Sequence, residues 1–285
     1  MADPEAQAPP TDSQMERRKR LVLGVSRAWA WVFLIGLIIF FTVSVSWRTD
    51  GEVFFLNLRN IQSILNTIVP TLLLGLGQTF VIISGGIDLS VGWVMGLSSV
   101  VSAESMLVLV DAGLDPYLAI FASFAIALLA ASSVGLISGI IIAKLSVPSF
   151  IVTLGMAFVA RGVALMISEG RTIGGLPQQL RDLGNESLVY WQHGEGGGPS
   201  FVFKPEVAGE ALRSMDRLLS WPAVVTVIIV AIAVFLLHKT QFGRHTYAIG
   251  GNREASVRAG VPADRQTIKI FTLSAFTAGL AGVLY

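Results

Sequence analysis

The chain has 285 residues, of which 53% are hydrophobic and only 14% charged, and its mean hydropathy is +0.69. That balance excludes an ordinary soluble domain and leaves material for several membrane spans of about 20 apolar residues each. A net charge of +1 singles out no charged partner, no nucleic acid is expected, and the absence of cysteine excludes disulfide frameworks and thiolate metal sites.

In chain order, Met1 to Ser13 is rich in Ala, Pro and polar residues and reads as the start of a disordered basic tail covering residues 1–28, with Arg17, Arg18, Lys19, Arg20 and Arg27 in its second half. The uncharged run from Trp29 to Trp47 is too long for a signal-peptide core and lacks a cleavage site, so it is expected to stay as a first span. Trp at both ends would anchor it at the interfaces. Further spans are expected at Ile61 to Ser84, Leu89 to Val110, Tyr117 to Ala143, Pro148 to Ser168 and Trp221 to Leu237. A seventh begins near Ile268 and is still apolar at Tyr285, so the chain is expected to stop inside a helix. The predicted fold is therefore all-α: a polytopic membrane helical bundle of about seven spans over 29–285, truncated at its C-terminus.

Two connections are long. Residues 169–220 form an outer loop whose Gly194, Gly196, Gly197, Gly198 and Pro199 disfavour regular structure, with a short interfacial helix expected at Asp216 to Trp221. Residues 238–267 form a basic loop on the opposite side. If the basic tail is cytoplasmic, parity puts Lys144, Lys239, Arg244, Arg253, Arg258, Arg265 and Lys269 on the cytoplasmic side as well, while the short outer loops carry Arg48 and Arg59 balanced by acidic residues. One consistent sidedness results, with a cytoplasmic N-terminus in the cell inner membrane.

The interior of the fourth span is rich in Ala, Ser and Gly, which lets helix backbones approach closely where lipid supplies no hydrophobic drive. Asn66, Gln78, Glu104 and Arg161 lie at membrane depth, where polar groups face the bundle interior or a water-filled path. Interhelical hydrogen bonding and a place along a transport path are both open for them. Histidines 193, 238 and 245 are far apart in sequence, and the spans lack the clustered His, Asp or Glu that a membrane-embedded enzyme needs.

Two stretches are more particular. In Ser84-Gly85-Gly86-Ile87-Asp88-Leu89-Ser90-Val91-Gly92 two glycines stop one span and Asp88 is placed to cap the next. This is either a tight turn with a capping aspartate or a helix break whose ends line a substrate path, since free helix ends are tolerated at depth only beside a cavity. In the basic loop, Phe242-Gly243-Arg244 leads through Gly250, Gly251 and Asn252 to Pro262. Asn252 can serve as N-cap, Glu254 suits the first turn, and Gly260 with Pro262 marks the stop of a short helix. A helix this short is marginal alone and wants a groove to dock in.

These blocks resemble the membrane permeases of ribose, xylose and related sugar ABC importers. The likeness rests on Gly85 to Gly92, on Val147-Pro148-Ser149-Phe150-Ile151-Val152-Thr153-Leu154-Gly155 with Arg161-Gly162, and on Phe242 to Ala255, in the family's order over most of Asn60 to Tyr285. The polar groups at depth and the helix break together suggest a translocation path along Asn66, Gln78, Gly85, Gly86, Asp88, Ser90, Glu104 and Arg161. The resemblance implies a coupling helix for the ATPase built from Gly250, Gly251, Asn252, Glu254, Ala255 and Gly260, with Ser256 departing from the family's pattern. The implied partners are cytoplasmic ATPase subunits, a periplasmic sugar-binding protein, a second permease copy forming a homodimer, and membrane lipid.

No phosphate-binding Gly-x-x-x-x-Gly-Lys-Ser/Thr loop occurs, so no cofactor is expected in this chain and ATP would be bound by the partner. The chain is expected to be no enzyme but the permease of a sugar importer, with a pentose such as xylose preferred. A branched-chain amino-acid ABC permease and an ion-coupled secondary transporter are the competing readings.

Overall fold

A computed structural model describes residues 12–48, 55–185, 187–192, 200–203 and 216–285. Two compact units are distinguished, Met1–Ile61 and Gln62–Tyr285.

In the first unit, α1 runs from Asp12 to Arg48. The sequence predicts a disordered tail to residue 28, but the helix begins at Asp12, 17 residues before Trp29, because no Pro lies between Pro10 and Arg48 and the basic stretch consists of good helix formers. Phe41 packs edge-on to Phe40 and stacks on Phe55, with centroids 5.4 and 5.9 Å apart.

The long helices that follow are α2 (Leu58–Ile83), α3 (Val91–Asp111), α4 (Pro116–Leu145) and α5 (Ser149–Ser168). Asp115 starts α4 by accepting hydrogen bonds from the amides of Tyr117 and Leu118, with Pro116 in the first turn where its missing N–H costs nothing. Within α2, Pro70 cannot donate to the Asn66 carbonyl.

The connection after α5 is more ordered than its sequence predicts. It contains α6 (Gln178–Asn185) and an antiparallel sheet of β1 (Ser187–Gln192), β2 (Ser200–Phe203) and β3 (Asp216–Ser220), in the order β2-β1-β3. The helix expected at Asp216 to Trp221 is thus a strand up to Ser220. Leu219 pairs with Val189 and Arg217 with Tyr190, and β pairing with this apolar, aromatic partner overrides the local helical reading. The Gly194–Pro199 stretch lies outside the described residues.

Four further helices follow Ser220, which caps α7 (Trp221–Lys239) with its side chain. Next come α8 (Gln241–Gly251) and the six-residue α9 (Arg253–Arg258), and then α10 (Ala263–Leu284). The loop expected over 238–267 thus holds the short helix predicted after Asn252, as α9, and a second helix, α8, before it; α10 starts five residues before the predicted Ile268, since Asp264 suits a helical first turn. Among the described residues, seven helices are long and apolar enough to cross a membrane.

The core of the second unit is α10, the helix with the largest buried share. Its approach to α3 and α4 is backbone on backbone. A Cβ at Gly139 would lie 2.8 Å from Ile268 Cα, one at Gly279 would lie 2.6 Å from the Ala131 methyl, and one at Gly135 would overlap the Phe271 carbonyl oxygen. Ser98 Oγ donates to the carbonyl of Gly279 at 2.9 Å, so α3 is fastened to α10 by a side chain as well. Small residues at these crossings are what allow tight packing in lipid.

Candidate functional site

The break between α2 and α3 begins as a Schellman stop. Gly86 N–H bonds the Val81 carbonyl and Gly85 N–H that of Ile82, with Gly85 at φ +80°, a conformation that favours glycine. Gly86 has the second constraint, since a Cβ there would press Val81 at 3.1 Å and the Phe271 ring at 3.3 Å.

Beyond the glycines the backbone is extended or irregular to Ser90, and its polar groups are met by side chains from three other helices. Ser149 Oγ accepts from Ile87 N–H and Thr153 Oγ1 from Leu89 N–H, both at 3.0 Å. The Gln78 amide donates to the Asp88 carbonyl. The Asp88 side chain, 3% exposed, takes Ser90 N–H and Ser90 Oγ at Oδ1 (2.9 and 2.6 Å) and Ser274 Oγ of α10 at Oδ2 (2.8 Å).

This corrects one expectation. Asp88 does not cap α3: the N-cap is Ser90, and the carboxylate bonds that residue's own amide and hydroxyl. A carboxylate two residues before the N-cap is pulled inward by Ser274, out of reach of the first helical amides. The glycine block is therefore a tight stop followed by an interruption of the helix.

The second cluster is the α8–α9 pair. Thr240 caps α8 and Asn252 caps α9, its Oδ1 accepting from Ala255 N–H at 2.9 Å. The α9 stop is a second Schellman pattern, Val261 N–H to the Ser256 carbonyl and Gly260 N–H to that of Val257, with Gly260 at φ +85°. Glu254 pairs with Arg258 one turn on at 2.6 Å, and both side chains are 78% exposed, so this pair holds little and leaves an open charged surface. The inner side of the pair is fixed to α10. Gln266, 3% exposed, donates to the Phe242 carbonyl and to Thr246 Oγ1, both at 2.9 Å. Asp264 bridges Arg253 and Lys144 at 3.1 Å each.

The two clusters meet at Gly250, where a Cβ would overlap the carbonyl oxygen of Ile83, the last residue of α2. Phe242 packs on Phe80 one turn before that end, with ring centroids 5.7 Å apart. Gly251 faces open space, and both glycines belong to α8 rather than to a loop.

The structure thus brings together Gln78, Gly85, Gly86, Asp88, Ser90 and Gly250. Asn66, Glu104 and Arg161 share no hydrogen bond or ring contact with this group. Asn66 Oδ1 accepts from Ser220 Oγ at 2.6 Å, Glu104 is half-buried with no polar partner among the described residues, and the exposed Arg161 guanidinium lies 4.8 Å over the Trp93 ring. Sequence reasoning missed Ser149, Thr153 and Ser274. A signal existed for the first two, which lie four residues apart on one face of a helix inside a block already singled out; Ser274 gave none.

Comparison with known proteins places this geometry. The family profile described as branched-chain amino acid transport system / permease component matches residues 60–285. The chain is 34% identical over 213 residues to the inner membrane ABC transporter permease protein YjfF of Escherichia coli K12, covering 75% of this chain and 55% of that protein. It is 34% identical over 230 residues to the ribose import permease protein RbsC of Bacillus subtilis 168, covering 81% and 61%. To the xylose transport system permease protein XylH of E. coli K12 it is 29% identical, covering 88% and 69%. The chain spans between half and two thirds of the length of the first two. No solved structure matches it.

Proposed function

Since the chain belongs to the branched-chain amino acid transport system / permease component family, we propose that it is the membrane-spanning permease subunit of an ATP-driven sugar importer. The relatives named above for a substrate are permeases for ribose and xylose, and a further one, 30% identical, is a D-allose transport system permease protein, which favours sugars over the amino acids in the family's description. The N-terminus and α8–α9 are cytoplasmic, and the chain is a multi-pass protein of the inner membrane. Its partners are an ATPase at α8–α9, a periplasmic sugar-binding protein on the opposite side, and a second permease copy.

The observation that carries the mechanism is the contact of Gly250 with the end of α2. Movement of α8–α9 by a nucleotide-driven partner would press on the Ile83 carbonyl without a side chain between them, and so on the break that Asp88 fastens to α10. Alternating access needs such a two-state element biased from one side. The α3/α5 face lines the path in this reading. An arginine at mid-span costs about 3 kcal/mol against lipid, more than an indole ring returns to it, so Arg161 over Trp93 belongs beside water or protein.

The test is co-purification of the full-length protein with the ATPase encoded beside it. Wild type is expected to retain the ATPase and Glu254→Arg to lose it. The swap Glu254→Arg with Arg258→Glu restores the pair within α9 but not the outward charge pattern, so it is also expected to fail. Recovery by the swap would mean that Glu254 only stabilises its own helix. Absence of any ATPase from wild type would overturn the importer reading in favour of an ion-coupled transporter.

A further inference from the structure

Beside α8, where α10 begins, lies a groove of about 450 Å³ whose lining includes His245, Arg265 and Lys269 and no acidic residue. Its apolar side is Phe242 and Pro262. Arg265 and Lys269 are one turn apart on the same face of α10, exposed, and without hydrogen-bond or ion-pair partners among the described residues. The nearest carboxylate in sequence, Asp264, has both oxygens engaged by Arg253 and Lys144, so it does not neutralise them. The Gln266 amide that reaches this region is spent on Phe242 and Thr246. What remains is cationic, concave and half apolar.

The level of the groove is set by the helices that form it. The apolar run of α7 ends at Leu237, four residues before Gln241, and Lys269 stands between Ile268 and Ile270 where α10 turns apolar. This is headgroup depth, where hydrocarbon gives way to water.

We propose that the groove binds the phosphodiester of an anionic phospholipid in the leaflet on the α8–α9 side. Arg265 and Lys269 hold the phosphate, His245 faces it from α8, and the glycerol end of an acyl chain lies against Phe242 and Pro262. Basic pockets between helices at this depth suit anionic headgroups, and a phosphate with a chain attached uses both halves of the lining. The inference does not depend on which solute crosses the membrane.

The experiment measures lipid retained by the full-length protein in detergent after loading with phosphatidylglycerol or phosphatidylcholine and washing. Wild type is expected to keep phosphatidylglycerol preferentially, and Arg265→Gln with Lys269→Gln to lower that retention by roughly tenfold. Removing the same charge outside the groove, Arg244→Gln with Arg258→Gln, is expected to leave it unchanged. The exchange Arg265→Lys with Lys269→Arg should preserve retention, and its success excludes a general loss of fold. Equal losses in both neutralised doubles would overturn the proposal in favour of diffuse surface charge. Release of the lipid by excess inorganic phosphate would overturn it in favour of a soluble-anion site. Unchanged lipid with lost ATPase in the groove double would mean that the surface belongs to the ATPase.

Discussion

A buried carboxylate needs donors when, as for Asp88, no cation pairs with it among the described residues; Asp88 has three, from Ser90 N–H, Ser90 Oγ and Ser274 Oγ. Asp88→Ala leaves all three without their acceptor in a site water does not reach. It is expected to destabilise the protein by about 2–4 kcal/mol, seen as a lowered melting temperature in detergent, while Asp88→Asn, which keeps an acceptor for Ser90, is expected to cost about 1 kcal/mol. Equal losses would mean that the negative charge itself is required. The sequence singles out Asp88 and Gln78 because a carboxylate and an amide stand out in an apolar run. It hides their partners, since hydroxyls in membrane helices commonly bond their own backbone, and Thr153 does that here too, donating to the Ser149 carbonyl while it accepts from Leu89. Ser274 lies 186 residues from Asp88, a pairing no local pattern encodes.

Among elements, those with local causes were legible. Asn252, Glu254 and Gly260 mark the bounds of α9 because caps and Schellman stops are set by neighbours within a few residues. β3 was not, because its partner β1 lies some 30 residues upstream and supplies the reason to extend. Nor was the difference between adjacent glycines of α8, which only the packed structure separates. Gly250→Ala is expected to push α8 off the end of α2, lowering stability by about 1–3 kcal/mol and weakening the link between ATPase activity and transport, whereas Gly251→Ala should be tolerated. Melting curves and transport-coupled ATP hydrolysis of the two variants, side by side, check this; similar behaviour would remove Gly250 from the coupling argument.

At the scale of the molecule, the apolar runs predicted the number of spans well, because length and composition are enough to fix a helix that must satisfy its own backbone in lipid. Sidedness is a separate matter, and the cysteine-free sequence makes it directly measurable. Val257→Cys, exposed on α9, is expected to react with a membrane-impermeant maleimide only after cells are opened, and Thr172→Cys, exposed beyond α5, in intact cells. The opposite pattern would invert the orientation and with it the place of the ATPase.

The glycine crossings of α3, α4 and α10 have a mechanical consequence. Helices that touch backbone to backbone at Gly135, Gly139 and Gly282 cannot shear without one climbing out of the other's groove, so these three travel as one stiff mass. The fastenings to α5 are of another kind. Ser149 and Thr153 hold the break by hydroxyls, and Thr153 has a second acceptor, the Ile87 carbonyl, at 3.3 Å. A rotor with two acceptors can change grip without breaking contact. Where α5 grips the break, the bundle can therefore shift a notch at a time while its trunk keeps its shape.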